Sequence, residues 1–429
     1  MDVFIEGLKV VFFGILMFSL IIIIHEAGHF TAARLFGLRV KEFMLGLPGP
    51  NIGFTFKGTK FGVTPILLGG YALIAGEGSS QKNPHLVSAF SYLATKGTLA
   101  QEDARAAEGV LGYNLEEALD TLDAWGTIKR VKEKGSCHYL MPATDEAALG
   151  APRAVKDAAA HIAAERKLTL DAAPWYQRVI IFAAGAAFNL LFAIITITIV
   201  LMIVGTQVPT TTLASVLEGG PAAHAGIQPG DTLVALDTQP LDSWEALNTQ
   251  MATHKPGDTI TITVERDGTE RSHSITLAES EGRAILGVTP TAATAPISFG
   301  EALSTSVSFI GLVVEAILKL FNPATFSEVV GQSSSVVGVS FMAKSAAESG
   351  FIPFIFMAAA LSISIGLMNL LPFPPLDGGR IVVDTIERIT RRSIPVRVVN
   401  GITVGALGLL IMLFLYVTGQ DIQNFIIGG

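Results

Sequence analysis

Residues 20–30, LIIIIHEAGHF, carry an apolar run straight into two histidines and a glutamate with no turn residue between. At ~1.5 Å per residue, the stretch Leu8–Ile24 would cover roughly 25 Å of a hydrocarbon core ~30 Å thick. His25, Glu26 and His29 then sit at the far edge of a membrane span, or just inside it. Ionisable groups at that depth are costly and by default functional. HEAGH also fits the HExxH pattern. On a helix, two histidines four apart share a face and can bind one metal, while the intervening carboxylate reaches an attacking water as general base. A chance match on a solvated helix is the competing reading, and the position at the end of a span counts against it.

Composition sets limits on the rest. Half of the 429 residues are hydrophobic, 15% are charged, and the mean hydropathy is +0.52, the profile of a membrane protein. A net charge of -8 argues against nucleic-acid binding as the main activity. The single cysteine, Cys137, excludes an internal disulfide framework and most Cys-based zinc sites, so a metal must rest on histidine and carboxylate.

Four segments read as spans: Leu8 toward Phe36, Val179–Val204, Phe351–Leu371 and Val398–Val417. The first lacks a positive n-region and a credible cleavage site, and is taken as retained. Basic residues (Arg34, Arg39, Lys41, Lys57, Lys60; Arg380, Arg388, Arg391, Arg392, Arg397) place the loops after the first span and between the last two on the cytoplasmic side. The acid-rich stretch Gln207–Pro296 falls outside. Leu303–Phe321 is apolar enough for a fifth span, but Glu315 and Lys319 share one helical face and suit an interfacial helix. A crossing there would also invert the charge pattern.

Catalytic zinc normally takes three protein ligands and an open position. The soluble pattern fails, because Ala32 and Leu35 stand where a metzincin needs glycine and histidine. NLLPFPPLDGG, Asn369–Gly379, supplies another donor. Its prolines cannot continue a helix, and non-helical backbone at membrane depth is tolerated only inside protein or along a wet cavity. Asp377 follows on the same side as His25 and His29. Taken alone, the stretch also reads as a Pro-rich helix stop before an Asp-Gly turn.

HExxH ending a first span together with NxxPxPxLDG late in the chain resembles the site-2 protease family of intramembrane zinc metalloproteases. Within it, the chain is most similar to the bacterial regulator-of-sigma-E protease group with a PDZ module. The resemblance implies Zn2+ held by His25, His29 and Asp377, with Glu26 activating water and Asn369 at the substrate-contacting end of its motif. The family's GPxxN motif is FAAGAAFN here, Phe182–Asn189, with Ala186 in place of proline. Asn189 is a candidate contact to substrate backbone, or a hydrogen-bonding glue between helices. SSSVVGV, Ser333–Val339, departs from the family's Gly-Pro-x-Gly pattern, and nothing carries over there.

Asn51–Gly76 alternates apolar and small residues around Lys57-Gly58, a hairpin signal. The resemblance implies a membrane-associated β-hairpin whose edge strand pairs with an unwound substrate, with Gly69 and Gly70 as candidate substrate-binding positions; a plain cytoplasmic hairpin is the alternative. Val216–Leu241 resembles a PDZ domain, followed by a helix over Ser243–Thr253 and strands near Thr259–Arg266 and Ser272–Leu277. Leu86–Ala173 departs from the family. Helices over Leu99–Glu108 and Leu115–Trp125, a hairpin turning near Lys134-Gly135 and a helix near Val155–Lys167 loosely resemble a winged helix, serving either as a docking or gating module or as a spacer.

The expected fold is an α-helical polytopic membrane protein: first span and hairpin (1–82), cytoplasmic α+β insert (83–173), second span (174–206), extracytoplasmic PDZ domain (207–296), interfacial segment (297–350) and two last spans (351–429). The expected function is zinc-dependent endoproteolysis of single-span membrane proteins in the bacterial inner membrane, near their cytoplasmic end. By resemblance the substrates are anti-sigma factors or signal-peptide remnants. The expected partners are those substrates, the lipid bilayer and a docking partner for the insert, with no nucleic acid. A PDZ scaffold with a vestigial metal site would tolerate loss of Glu26. A zinc carrier would need a polar chain across the bilayer, which the second and last spans hardly offer.

Overall fold

The computed structural model describes residues 2–423 except 68, 78–82, 134–135, 145–146, 281, 332 and 393. The chain forms two compact units, residues 1–197 with 305–429, and residues 198–304.

In the first unit, α1 (Asp2–Leu35) is one unbroken helix carrying the whole apolar run and HEAGH. It leads into a four-stranded sheet of β1 (Val40–Leu45), β2 (Ile52–Phe56), β3 (Thr59–Val63) and β4 (Gly70–Ile74), in the order β2-β3-β1-β4. The β2–β3 turn falls at Lys57-Gly58, both with positive φ (47° and 80°), as a tight two-residue hairpin turn requires. Ile52, Phe54 and Phe56 on β2 are exposed. At the opposite edge, β4 pairs with β1 and packs against α1.

The insert comprises α2 (Leu86–Lys96), β5 (Thr98–Ala100), α3 (Gln101–Leu111), α4 (Leu115–Trp125), β6 (Lys129–Glu133), β7 (Ser136–Leu140) and α5 (Ala158–Arg166). The sheet order is β5-β7-β6. Helix, strand, two helices and two strands follow in that order around a core of Phe90, Trp125 and Tyr139. The sequence reading missed α2 and began a helix at Leu99. Gly97, at φ 75°, turns the chain there, and a Cβ on it would lie 2.4 Å from the Gly150 carbonyl oxygen. The break is therefore set by a contact 53 residues away. The expected turn at Lys134-Gly135 lies outside the described residues. Side-chain bonds help to fasten the insert to the sheet. Arg39 pairs with Glu165 at 2.6 Å and donates to the Trp125 carbonyl, and Lys41 donates to the Asp123 carbonyl.

α6 (Trp175–Val204) leads to the second unit: β8 (Thr206–Val216), α7 (Pro221–His224), β9 (Thr232–Leu236), β10 (Gln239–Pro240), α8 (Trp244–Met251), β11 (Thr259–Arg266), β12 (Thr269–Thr276), β13 (Ala278–Ser280), β14 (Arg283–Ile285) and β15 (Val288–Ala295). The main sheet runs β12-β11-β9-β8-β15, with β10 beside β9. The helix expected over Ser243–Thr253 is α8, which Ser243 caps by accepting from Ala246 N.

Asp231, only 1% exposed, accepts two bonds from Arg266 (2.6 and 2.7 Å) and one from Gln228 N. Arg266, followed by the Gln228 amide, holds its carboxyl below the usual carboxylate range. A depressed folded-state pKa contributes stability above the unfolded value near ~3.9 and loses it as pH falls through the folded value. Asp231→Ala is therefore expected to destabilise this module near neutral pH, by taking the carboxylate partner from Arg266 and the acceptor from Gln228 N. As pH falls below the unfolded value of ~3.9 the difference from wild type should shrink. Pulse proteolysis of the full chain, with the released fragments weighed, checks both.

The first unit resumes with α9 (Phe299–Lys319), α10 (Phe326–Gly331), α11 (Val336–Ser349), α12 (Phe351–Asn369), α13 (Asp377–Thr390) and α14 (Val396–Ile422). Among the described residues, five helices are long and apolar enough to cross a membrane: the four expected ones and Phe299–Lys319, the segment expected in the interface. Length and composition do not separate the two readings of α9. α11 lies against α1, with Lys344 paired to Glu6 and a buried cluster of Met17, Ile21, Ala343, Phe354 and Ala358.

Between α12 and α13 the prolines break the helix as expected, and α13 starts at Asp377. The two glycines after it are steric necessities. A Cβ on Gly378 would lie 2.2 Å from the Leu370 carbonyl oxygen, and one on Gly379 2.2 Å from Pro374 N.

Candidate metal centre

One turn of α1 places His25 and His29 side by side, each 8% exposed. Their Nε2 atoms are 3.1 Å apart, and Asp377 Oδ2 lies 3.1 Å from the first and 3.2 Å from the second. Three donor atoms from opposite ends of the chain thus form a nearly equilateral triangle. With metal–ligand bonds of ~2.0–2.1 Å, a tetrahedral centre has ligand–ligand edges of ~3.3 Å, so the triangle matches one face of such a centre.

Tautomers strengthen the match. His29 Nδ1 is 2.7 Å from the Ile181 carbonyl oxygen, which can only accept, so the ring carries its proton on Nδ1 and turns the Nε2 lone pair inward. A lone pair facing a second imidazole nitrogen and a carboxylate oxygen calls for a cation between them. Among the described residues, this is the cluster of three His, Cys, Asp or Glu side chains able to hold a metal.

α6 closes the site from behind. Ile181, Gly185 and Asn189 follow one another at spacing four and face α1. A Cβ on Gly185 would lie 2.4 Å from His29 Nε2 and 2.7 Å from His25 Cε1, and one on Gly28 would lie 2.2 Å from the Ala184 carbonyl oxygen. The two helices meet through absent side chains. Asn189 is fully buried, its Nδ2 3.4 Å from His25 Nδ1.

Glu26 points toward β4, where its Oε2 accepts from Ala72 N at 2.8 Å. Gly70 makes that approach possible, since a Cβ there would meet Ile22 Cγ2 at 2.8 Å and Glu26 Cγ at 3.6 Å. Gly69 lies just before the strand, its carbonyl accepting from Gly46 N. A cavity of about 1030 Å³ opens on this centre, lined among others by His25, Glu26, His29, Asn369, Tyr71 and Asp377. Tyr71 donates to Glu42 at 2.8 Å. Burial, then that carboxylate, pushes its phenol up to about 12, so it keeps its proton at neutral pH.

Sequence reasoning missed two features. Gly185 was noted only as part of a motif, though its small-residue setting, AAGAA, is the signature of close helix approach. Arg380 was counted as a loop charge. It pairs with Glu77 and lies 5.5 Å from the centre of the Phe182 ring, tying α13 to the end of β4 at the cavity wall.

Comparison with known proteins agrees with this chemistry. Residues 13–414 match peptidase family M50. A probable protease, eep, of Enterococcus faecalis is 25% identical over 97% of this chain and 100% of its own length. The zinc metalloprotease RasP of Geobacillus kaustophilus is 26% identical over 98% and 99%. Among solved structures, the PDZ domain of an SdrC-like protein from Listeria monocytogenes is similar to 20% of this chain and spans 93% of that domain, at 22% identity and a TM-score of 0.18.

Proposed function

Since the chain belongs to peptidase family M50, the site-2 proteases, it is a membrane-embedded zinc metalloprotease, and we propose that His25, His29 and Asp377 hold its zinc and that Glu26 is the general base. The closed triangle of Nε2, Nε2 and Oδ2 at the end of a membrane span carries this assignment. Zinc bound there would polarise the scissile carbonyl and acidify a water beside it. Glu26 takes the proton of the attacking water on a carboxylate oxygen and returns it to the leaving amide nitrogen. The Ala72 amide holds that carboxylate in place. Asn369, on the cavity wall at the last residue of α12, donates its amide to the developing oxyanion.

Substrate enters as an unwound strand. A helix must open before water can reach its backbone, and the β4 edge, led in by Gly69 and Gly70, supplies replacement hydrogen bonds. The substrates are single-span proteins already trimmed outside, anti-sigma factors or signal-peptide remnants, cut near their cytoplasmic end. Asn189 remains within reach of the site but is too buried to meet substrate directly.

α9 lies along the interface. α1 and α12 bring their ends to one centre, so a crossing by α9 would require a compensating crossing before α12, and α11, at 14 residues or ~21 Å, is too short for one. The exposed Glu315–Lys319 pair fits that placement. The PDZ module then lies outside and the insert inside. With Glu116, Glu117, Asp120 and Asp123 on α4, the helix a winged-helix protein would lay in DNA, the insert serves protein docking rather than nucleic acid.

The test is mass-spectrometric mapping of products from a single-span substrate with a short outer tail, co-reconstituted with the purified full chain. One cut inside the substrate helix near its cytoplasmic end, lost on zinc chelation and restored by zinc, is expected. Cutting confined to the tail, or indifferent to chelation, would overturn the reading.

A further inference from the structure

We propose that Asn189 is a positioning residue for the ligand His25, its side-chain carbonyl accepting the ring Nδ1–H and thereby reserving Nε2 for the cation. The inference rests on the zinc reading above and deepens it.

α6 offers one acceptor to each histidine. The Ile181 carbonyl oxygen takes His29 Nδ1–H at 2.7 Å, and eight residues on, Asn189 reaches His25 Nδ1 at 3.4 Å. Gly185, midway between, lets both rings lie against the helix. If Nε2 of His25 gives its lone pair to the centre, its proton must sit on Nδ1, and the group opposite must accept. An amide presenting Nδ2 would set donor against donor. As placed, that orientation leaves Asn189 Oδ1 buried without a hydrogen-bond partner among the described residues. Turning the amide by 180° leaves its heavy-atom positions nearly unchanged and is not distinguished by shape. It puts Oδ1 on the Nδ1–H, so the acceptor gains a donor, while the NH2 takes the place that Oδ1 held.

Helix glue is the other role such an asparagine could play. Here the interhelical bond is made by the backbone, with Ser362 Oγ donating to the Asn189 carbonyl oxygen at 3.1 Å. That bond survives any change of the side chain. The amide itself is left for His25.

The experiment is zinc affinity of the purified full chain in detergent, by competition with a chelator of known affinity, for wild type, Asn189→Leu and Asn189→Asp. Leu keeps the volume and removes the acceptor; Asp keeps the acceptor. A 10- to 100-fold loss of zinc affinity in Asn189→Leu, with Asn189→Asp close to wild type, is expected. If the Leu variant does not fold, Asn189→Ala, which adds no bulk, gives the same reading. Equal affinity in all variants, or equal loss in Leu and Asp, would overturn the inference while leaving the zinc site intact. A wild type that binds no zinc would overturn the underlying reading and this inference with it.

Discussion

Replacing Gly185 by alanine is expected to remove zinc and proteolysis together, although the position bears no ligand. The added methyl would sit 2.4 Å from His29 Nε2 and 2.7 Å from His25 Cε1, well inside van der Waals contact. Relief by moving the rings away from α6 would break the bond of His29 to the Ile181 carbonyl on that same helix and disturb the contacts of both rings with Asp377. Relief by moving the helices apart would open the contact of Gly28 with the Ala184 carbonyl and strip buried surface from Phe182 and Ala184. Overpacking of this kind costs about 1–3 kcal/mol, and here it falls on the donor atoms themselves. Zinc content after size-exclusion chromatography should fall from one per chain to a small fraction, with helicity retained. Full zinc occupancy and wild-type cutting in Gly185→Ala would show that α1 and α6 do not meet as described.

Glu26→Gln separates chemistry from metal binding. Glutamine keeps the length and an oxygen acceptor for the Ala72 amide, so the β4 contact and the neighbouring histidines should persist. It cannot take a proton. General-base catalysis is worth typically 10²–10⁴ in rate, and single-turnover cleavage of the single-span substrate should fall by that factor while zinc affinity stays within a few-fold of wild type. Cutting by Glu26→Gln at the wild-type rate would remove the glutamate from the mechanism. A scaffold with a vestigial site would behave differently again, since neither protein would cut.

The sequence carried the site because its two halves announce themselves locally. HEAGH places charge at the end of a long apolar run, and the prolines before Asp377 break the helix there, so both were legible without coordinates. The hairpin around Lys57-Gly58 and the helix beginning near Ser243 were equally readable, as both depend on near neighbours. What escaped depends on distant partners. Gly97 ends α2 because of Gly150, Arg380 finds Glu77 across 303 residues, and Gly185 matters only once α6 lies on α1. Asn189 was visible as polar in an apolar helix, but its choice of partner needed the fold. The fifth apolar helix, α9, is ambiguous for another reason: an amphipathic interfacial helix and a crossing helix of 21 residues share the same composition.

Zinc-edge X-ray absorption on the purified full chain, beside Asp377→Ala, tests most directly whether His25, His29 and Asp377 make the centre. The expected wild-type spectrum shows one zinc per chain with two imidazole nitrogens and oxygen neighbours at ~2.0–2.2 Å and no sulfur. In Asp377→Ala the zinc should be lost or lose one oxygen neighbour while keeping both imidazoles. A wild-type spectrum with a sulfur ligand, or one that Asp377→Ala leaves unchanged, would contradict the assignment.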